Sequence, residues 1–315
     1  MSETTDVSRR DFLRSAGCAA GGVAALTPVT GCIPTALHAA ASNTDPDAAR
    51  ERAAGQFAIL FDSTRCIGCR ACELACAAEN DLGRSTTEIL QGCPTEDARA
   101  LAPDVLRYIT RNEDCTDPSQ TVFGQIQCMH CIEPACASSC PVRALEKTPE
   151  GPVVWHGDRC LGCRYCVLAC PFGVPSFEWD SRNPRIMKCD MCYERQVAGK
   201  LPACVEACPM GALQAGTRGE LLQEAHRRIS QNFGRYIDHV YGEFEAGGTS
   251  VLHISARPFR ELGYLSDVPD CSYCSYTRPA MGAIPFVLNG VILALGGAAW
   301  FAKRREKVTI TEEGR

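Results

Sequence analysis

The sequence predicts an α+β chain: two nested modules built around clustered cysteines, followed by a single C-terminal helix that crosses a membrane. Three observations predict it. Cysteine supplies 22 of 315 residues, in a chain too long to need stapling by disulfides throughout. Sixteen of those cysteines fall into four related quartets. Residues 279–302 form a run of 24 without a charge. The remaining composition is that of a globular protein: 45% hydrophobic and 22% charged, which excludes a disordered or collagen-like chain. A net charge of −5 leaves no basic field to hold nucleic acid.

Residues 1–41 read as a twin-arginine signal peptide. Ser8-Arg9-Arg10-Asp11-Phe12-Leu13-Arg14 fits the twin-arginine consensus, an Ala/Gly-rich stretch follows, and Ala39-Ala40-Ala41 offers small residues for cleavage. Val29-Thr30-Gly31-Cys32 is an alternative, lipoprotein-like processing site, so lipidation of Cys32 stays open. This export route moves folded protein, which suits metal cofactors installed in a reducing cytoplasm.

The quartets come next. Cys66, Cys69, Cys72 and Cys76 read C-x2-C-x2-C-x3-C. Cys128, Cys131, Cys136 and Cys140 read C-x2-C-x4-C-x3-C, followed by Pro141. Cys160, Cys163, Cys166 and Cys170 repeat the first spacing, followed by Pro171. Cys189, Cys192, Cys204 and Cys208 read C-x2-C-x11-C-x3-C, followed by Pro209. C-x2-C-x2-C-x3-C-P is the spacing of a 4Fe–4S site, whereas structural zinc uses two C-x2-C pairs across a long gap. Three close thiolates wrap one cluster. The fourth is expected to begin a helical turn and face away, and in two-cluster ferredoxins it binds the other cluster. The proline after it fixes the exit direction; Ala77 stands there in the first quartet.

Only 19 residues separate Cys140 from Cys160, and residues 144–147 and 153–156 read as a β-hairpin across Thr148-Pro149-Glu150-Gly151. The second and third quartets therefore form an inner module, residues 128–171. The first and fourth nest around it as an outer module, residues 56–77 plus 185–217. The whole is a four-cluster, bacterial dicluster ferredoxin-like region over residues 56–217. The expected inner ligand sets are Cys128, Cys131, Cys136 with Cys170, and Cys160, Cys163, Cys166 with Cys140. The outer sets are Cys66, Cys69, Cys72 with Cys208, and Cys189, Cys192, Cys204 with Cys76.

Between the first two quartets lies an insertion containing Cys93 and Cys115, which fit a disulfide or two free thiols equally. Residues 218–278 form a C-terminal extension. It opens with the capping box Thr217-Arg218-Gly219-Glu220 on an amphipathic helix to about Ile229, and residues 251–255 read as a strand. Cys271 and Cys274 fit a redox pair, a disulfide or loose thiols. As a helix, residues 279–302 span roughly 36 Å, against about 30 Å of hydrocarbon. Lys303, Arg304, Arg305 and Lys307 follow, so residues 303–315 form a cytoplasmic tail and the clusters lie on the periplasmic side. His130, inside the second quartet, is a conceivable ligand, but four thiolates are already supplied, so it is read as a neighbour of the ligands or a surface residue. Arg164 and Lys188 are read as charges that tune cluster potential or as solvated side chains.

The nested pattern resembles the iron–sulfur subunits of membrane-bound oxidoreductases: formate dehydrogenase, dimethyl sulfoxide reductase and uptake hydrogenase. In particular it is similar to the iron–sulfur subunit of hydrogenase-2-type NiFe hydrogenases. That likeness rests on Leu60-Phe61-Asp62-Ser63-Thr64-Arg65-Cys66, Gln127-Cys128-Met129-His130-Cys131, Cys163-Arg164-Tyr165-Cys166 and Leu201-Pro202-Ala203-Cys204-Val205-Glu206-Ala207-Cys208-Pro209. Tyr241-Gly242-Glu243, Gly247-Gly248-Thr249, the signal peptide and the C-terminal span add to it. The resemblance implies a non-catalytic electron-transfer subunit with four 4Fe–4S clusters. Its implied partners are a catalytic oxidoreductase subunit and a polytopic, quinone-interacting membrane subunit. The alternatives are the same relay serving a molybdenum enzyme, and a zinc-bound scaffold or assembly protein. No P-loop, dinucleotide fingerprint or nucleophile elbow points to substrate chemistry of its own.

Overall fold

In chain order the computed structural model, which describes residues 46–91, 101–112, 121–182 and 184–313, runs as follows. Helix α1 (Pro46–Arg52) leads into β1 (Phe57–Asp62), α2 (Ala71–Glu79), α3 (Thr86–Gln91), β2 (Arg107–Asn112) and β3 (Val122–Gln127). Then come α4 (Ala135–Ser138), β4 (Leu145–Lys147), β5 (Val153–Trp155), α5 (Tyr165–Ala169), β6 (Ser176–Phe177) and β7 (Ile186–Met187). The chain closes with α6 (Tyr193–Val197), α7 (Ala203–Glu206), β8 (Leu213–Thr217), α8 (Arg218–Gln231), β9 (Val251–Ile254) and α9 (Tyr273–Glu313). The signal-peptide residues, Cys32, Cys93 and Cys115 lie outside the described residues.

Strand β1 organises the larger sheet, of order β8-β1-β9. Successive side chains of a strand point to opposite faces, and β1 is apolar on both. Ile59 and Phe61 join a core with Val251, Tyr241, Phe259 and Leu262. Ala58 and Leu60 face the other way, packing with Leu252, Ile254 and the α8 residues Leu221 and Ala225. The antiparallel register of β1 with β8 runs from Phe57↔Thr217 to Phe61↔Leu213. It brings the loop after β1, which starts the first quartet, beside the segment before β8, which ends the fourth. In the same way β4 and β5 pair from Leu145↔Trp155 to Lys147↔Val153, joining the end of the second quartet to the start of the third.

The expected β-hairpin and capping box are present, the latter with both of its reciprocal bonds, and α8 runs two residues beyond Ile229. The insertion, read only as an insertion from sequence, carries a hairpin of two six-residue strands, β2 on β3. Glu73 holds it to α2 by accepting from the Ile109 amide at 2.8 Å. β9 makes the extension part of the sheet, pairing in parallel with β1. One stretch of α9, Tyr273–Arg305, is long and apolar enough to cross a membrane, and none of its most apolar part is buried against the rest of the protein. Its foot is tied to the second quartet by an Arg278–Glu133 ion pair at 3.0 Å.

Candidate metal centres

The first and third quartets repeat one backbone. Gly68 and Gly162 both have φ of 67°, and Arg70 and Arg164, each just after the second cysteine, have φ of 60° and 61°. Left-handed residues set among right-handed ones turn consecutive backbone N–H groups toward one concave side, where they meet sulfur. The Gly162 amide lies 3.5 Å from the Cys160 Sγ, and the Met191 amide 3.3 Å from that of Cys189. A Cβ on Gly68 would run into the Phe123 ring of β3, so glycine is demanded there by space as well as by φ.

The fourth cysteines were expected to begin a helical turn; Cys140, Cys170 and Cys208 do begin a turn, their carbonyls accepting from the amides of Arg143, Gly173 and Gly211 at 3.3, 3.1 and 3.3 Å, but the helical conformation is corrected. The third cysteines Cys136, Cys166 and Cys204 lie in α4, α5 and α7, whereas Cys170 is the residue that ends α5, with extended ψ of 116°. The cause is the proline that follows: it pushes the preceding residue out of helical space. With Ala77 in that place, Cys76 stays inside α2, four residues from Cys72 on the same face, and both are buried.

Electrostatic neighbours of the sulfurs follow sequence distance poorly and space well. Cys66 faces Cys208 and Cys69; Cys72 faces Cys204 and Cys66. Cys76 faces Cys204 and Cys192. Cys131 faces Cys170, Cys136 and Cys128, and Cys166 faces Cys160, Cys163 and Cys140. Two hollows echo this grouping. One is lined by Cys66, Cys69, Cys72 and Cys208 with Phe61 and Ile109. The other is lined by Cys140, Cys160, Cys163 and Cys166 with Trp155 and Ile186. All sixteen thiols are free. Among the described residues no three His, Cys, Asp or Glu side chains converge closely enough to hold a single metal ion.

Burial governs how these thiols titrate. It pushes Cys66, Cys166 and Cys192 up to about 11, and Cys72, Cys76 and Cys136 up to about 12. Such thiols become thiolates only when a cation replaces the proton. Cys140 departs from the pattern. Burial also works to raise it, but the backbone amides of Leu145, Val142, Ala144 and Arg143 outweigh that and lower it. The Ala144 amide approaches its Sγ to 3.1 Å.

His130 is not on the surface. It is 1% exposed, and its Nδ1 accepts from the Val153 amide at 2.9 Å, which fixes the second quartet to β5. Arg164 lies against both Phe177 and Trp179, 4.3 and 4.2 Å from their ring centres. Lys188 is buried and donates to the carbonyls of Val153 and Cys189. Cys271 and Cys274 have separate neighbours, the Tyr276 hydroxyl at 3.1 Å and the Glu133 carbonyl at 3.6 Å. The residue missed by sequence reasoning is Arg107 of β2. It is buried, within electrostatic reach of the sulfurs of Cys204, Cys72, Cys76 and Cys189. An arginine 21 residues before the nearest quartet carries no motif, and only the hairpin register, Arg107↔Gln127, places it.

Residues 119–218 match a family model described as a 4Fe-4S dicluster domain. The chain is 44% identical over 258 residues to a protein of Nitratidesulfovibrio vulgaris, covering 82% of this chain and 70% of that one. It is 34% identical over 285 residues to the hydrogenase-2 operon protein HybA of Shigella flexneri, covering 81% and 83%. To the iron-sulfur subunit of the nitrate-inducible formate dehydrogenase of the same organism it is 32% identical over 217 residues, covering 68% and 72%.

Proposed function

Because the chain belongs to the family of ferredoxin-like iron–sulfur electron-transfer subunits of respiratory oxidoreductases, we propose that it carries four 4Fe–4S clusters in a line and relays electrons between a catalytic subunit and a quinone-interacting membrane subunit. Within such a complex it is the non-catalytic relay. A 4Fe–4S cluster, when bound, takes up and gives up one electron; the chain supplies ligands, insulation and charge.

The ligand sets are those expected above. The donor chemistry fits: each set is four thiols, backbone amides point at sulfur, and two sets line hollows of their own. Electrostatic proximity between sets supports a linear order. Cys72 faces Cys204, Cys189 faces Cys128, and Cys136 faces Cys166. The line then runs from the set of Cys66 through those of Cys189 and Cys128 to that of Cys160. Its ends are the sets containing the exposed Cys69 and Cys163. Exposed apolar residues flank both ends, Ile67 and Met210 at one, Leu161, Tyr165 and Leu168 at the other, as suits contact with partner subunits. α9 anchors the relay, and the cations that follow its uncharged stretch orient the clusters to the periplasmic side.

The catalytic partner is proposed as broadly as the similarities support. The hydrogenase protein and the formate dehydrogenase subunit match at 34% and 32% identity. The sequence-based expectation of a NiFe hydrogenase is therefore widened to include a molybdenum enzyme of the formate dehydrogenase kind, which the similarities support at least as well.

The observation that carries the reading is the sulfur grouping, in which first and fourth quartets meet as second and third do. Anaerobic purification followed by iron and acid-labile sulfide assay tests it. Four clusters give about sixteen irons per chain. About eight would restrict the clusters to one dicluster module, and zinc in place of iron would favour a scaffold.

A further inference from the structure

Among the described residues, four arginines have their side chains buried deep in the protein, and three are fully explained. Arg70 forms an ion pair with Glu73 at 2.8 Å, and Arg228 one with Asp62 at 2.9 Å. Arg218 donates to the carbonyls of Thr249 and Glu243. Arg107 is the fourth. It is 3% exposed, and its Nε and Nη2 meet no hydrogen-bond partner. Gln127, opposite it in the β2–β3 register and next to Cys128, is 2% exposed and leaves both of its side-chain polar atoms unpartnered. Cross-strand partners share a face, so the hairpin presents a cation and an amide side by side toward one place.

Buried polar groups are paired, and a buried charge without a partner is severely disfavoured. Something anionic and hydrogen-bond-accepting must therefore face Arg107 in the working protein. The sulfurs that act on its charge most strongly are those of Cys204, Cys72, Cys76 and Cys189, with Cys66 and His253 also within electrostatic reach. Three of these belong to one proposed ligand set. Four thiolates outweigh the positive charge of the iron–sulfide cube they hold, so the ligated centre is an anion rich in sulfur acceptors.

We propose that Arg107, with Gln127 beside it, is a built-in cation and N–H donor to the sulfur of the centre held by Cys76, Cys189, Cys192 and Cys204, and that it raises the reduction potential of that centre. Reduction adds one electron and one unit of negative charge. A fixed cation stabilises the reduced form more than the oxidised form. The hairpin between the first two quartets thus sets one step of the relay while supplying none of its ligands. The inference rests on the four-cluster reading.

The test uses the full-length protein with its partners, as wild type, Arg107→Gln and Arg107→Lys, each assayed for iron and titrated against potential by electron paramagnetic resonance. Arg107→Gln should keep its iron and make one centre harder to reduce. At the wild-type midpoint the reduced-to-oxidised ratio of that centre should fall about tenfold, or about 59 mV for one electron. Arg107→Lys, which keeps the charge, should shift it less. The native protein labelled with nitrogen-15 arginine should show a nitrogen coupling to a reduced centre in pulsed resonance, lost in Arg107→Lys. Full iron with all midpoints unchanged in Arg107→Gln overturns the inference, as does a shift confined to the centre of Cys160. If Arg107→Gln fails to load, the labelled native protein decides, and absence of any arginine coupling overturns it. A native iron content near eight sinks the four-cluster reading instead, and is seen before any variant is made.

Discussion

The outer and inner modules use the same cysteine loop but close it over very different lengths of chain. In the inner module 19 residues lie between Cys140 and Cys160, and a three-residue strand pairing closes them. In the outer module 112 residues lie between Cys76 and Cys189. Loop entropy grows only with the logarithm of length, so this sixfold longer gap costs about 1.6 kcal/mol more. Entropy is therefore not what separates the modules. The difference lies in surface. β1 is apolar on both faces and, beside β8 alone, would expose one face and one edge. β9 covers the edge and α8 covers the face. The inner hairpin needs no such cover, because its core of Leu145, Val153, Phe177 and Ile186 packs directly on Cys136 and Cys166.

The largest expected effect breaks one cluster in each module and tests whether the two are built alike. Cys170→Ala leaves Cys160, Cys163 and Cys166 in place yet should remove the centre of Cys128, Cys131 and Cys136, lowering iron from about sixteen to about twelve per chain. Cys208→Ala should do the same to the centre of Cys66, Cys69 and Cys72. Iron assay with the resonance spectrum of the surviving centres reads both. If Cys170→Ala abolishes instead the signal of the Cys160 centre, ligation is not crossed and the parallel between modules fails.

The second effect separates the modules. Asp62, at the end of β1, is fully buried and is held by Arg228 of α8 at 2.9 Å and the Tyr236 hydroxyl at 3.0 Å. Arg228→Met leaves that buried carboxylate with only the half-exposed Arg65, 3.5 Å away, as its cation, a loss approaching about 3 kcal/mol. Hydrogen exchange should quicken accordingly across residues 57–62 and 213–231 and stay unchanged across residues 145–155. Equal loosening of both regions would mean that the modules unfold as one unit.

This contrast also explains what was legible in the sequence. The quartets, the β4–β5 hairpin and the Thr217 capping box are local patterns, and each is where its residues said it was. β9 was legible as a strand, but its place was not: nothing in Val251–Ile254 states that it lies parallel to a strand some 190 residues earlier. The Arg107 hairpin was missed for a related reason. Its residues alternate weakly, its two strands are joined by a long connection, and its meaning lies in sulfurs contributed by three other segments. The fourth cysteines begin turns as their spacing predicts, but the proline after Cys170 holds that cysteine itself in extended rather than helical conformation.

The smallest effect lies in the turn that positions β9. The His239 Nε2 meets Glu245 Oε1 at 2.7 Å, while Glu245 Oε2 accepts from the Gly242 amide at 2.7 Å. The hydrogen bond with Glu245 raises the His239 imidazole above its ordinary value, against the opposing effect of burial. Burial works to raise the Glu245 carboxyl, but its bonds to His239 and to the backbone amides of Glu245 and Gly242 outweigh it and lower it. The raised imidazole contributes fully below its unfolded value of about 6.5 and loses that contribution as pH rises through its folded value. The lowered carboxyl contributes fully above its unfolded value of about 4.3 and loses that as pH falls through its folded value. The pair is thus strongest between about pH 4.3 and 6.5, and weakens on either side. His239 is 47% exposed, so solvent screening keeps the contribution below about 1 kcal/mol. After correction for intrinsic rates, the Gly242 amide should exchange faster as pH is raised from 6 to 9, and His239→Gln should flatten that dependence. The same series read at Leu145 of the inner module should stay flat. A matching pH dependence there would trace the effect to the whole fold instead of to the turn that seats β9 against β1.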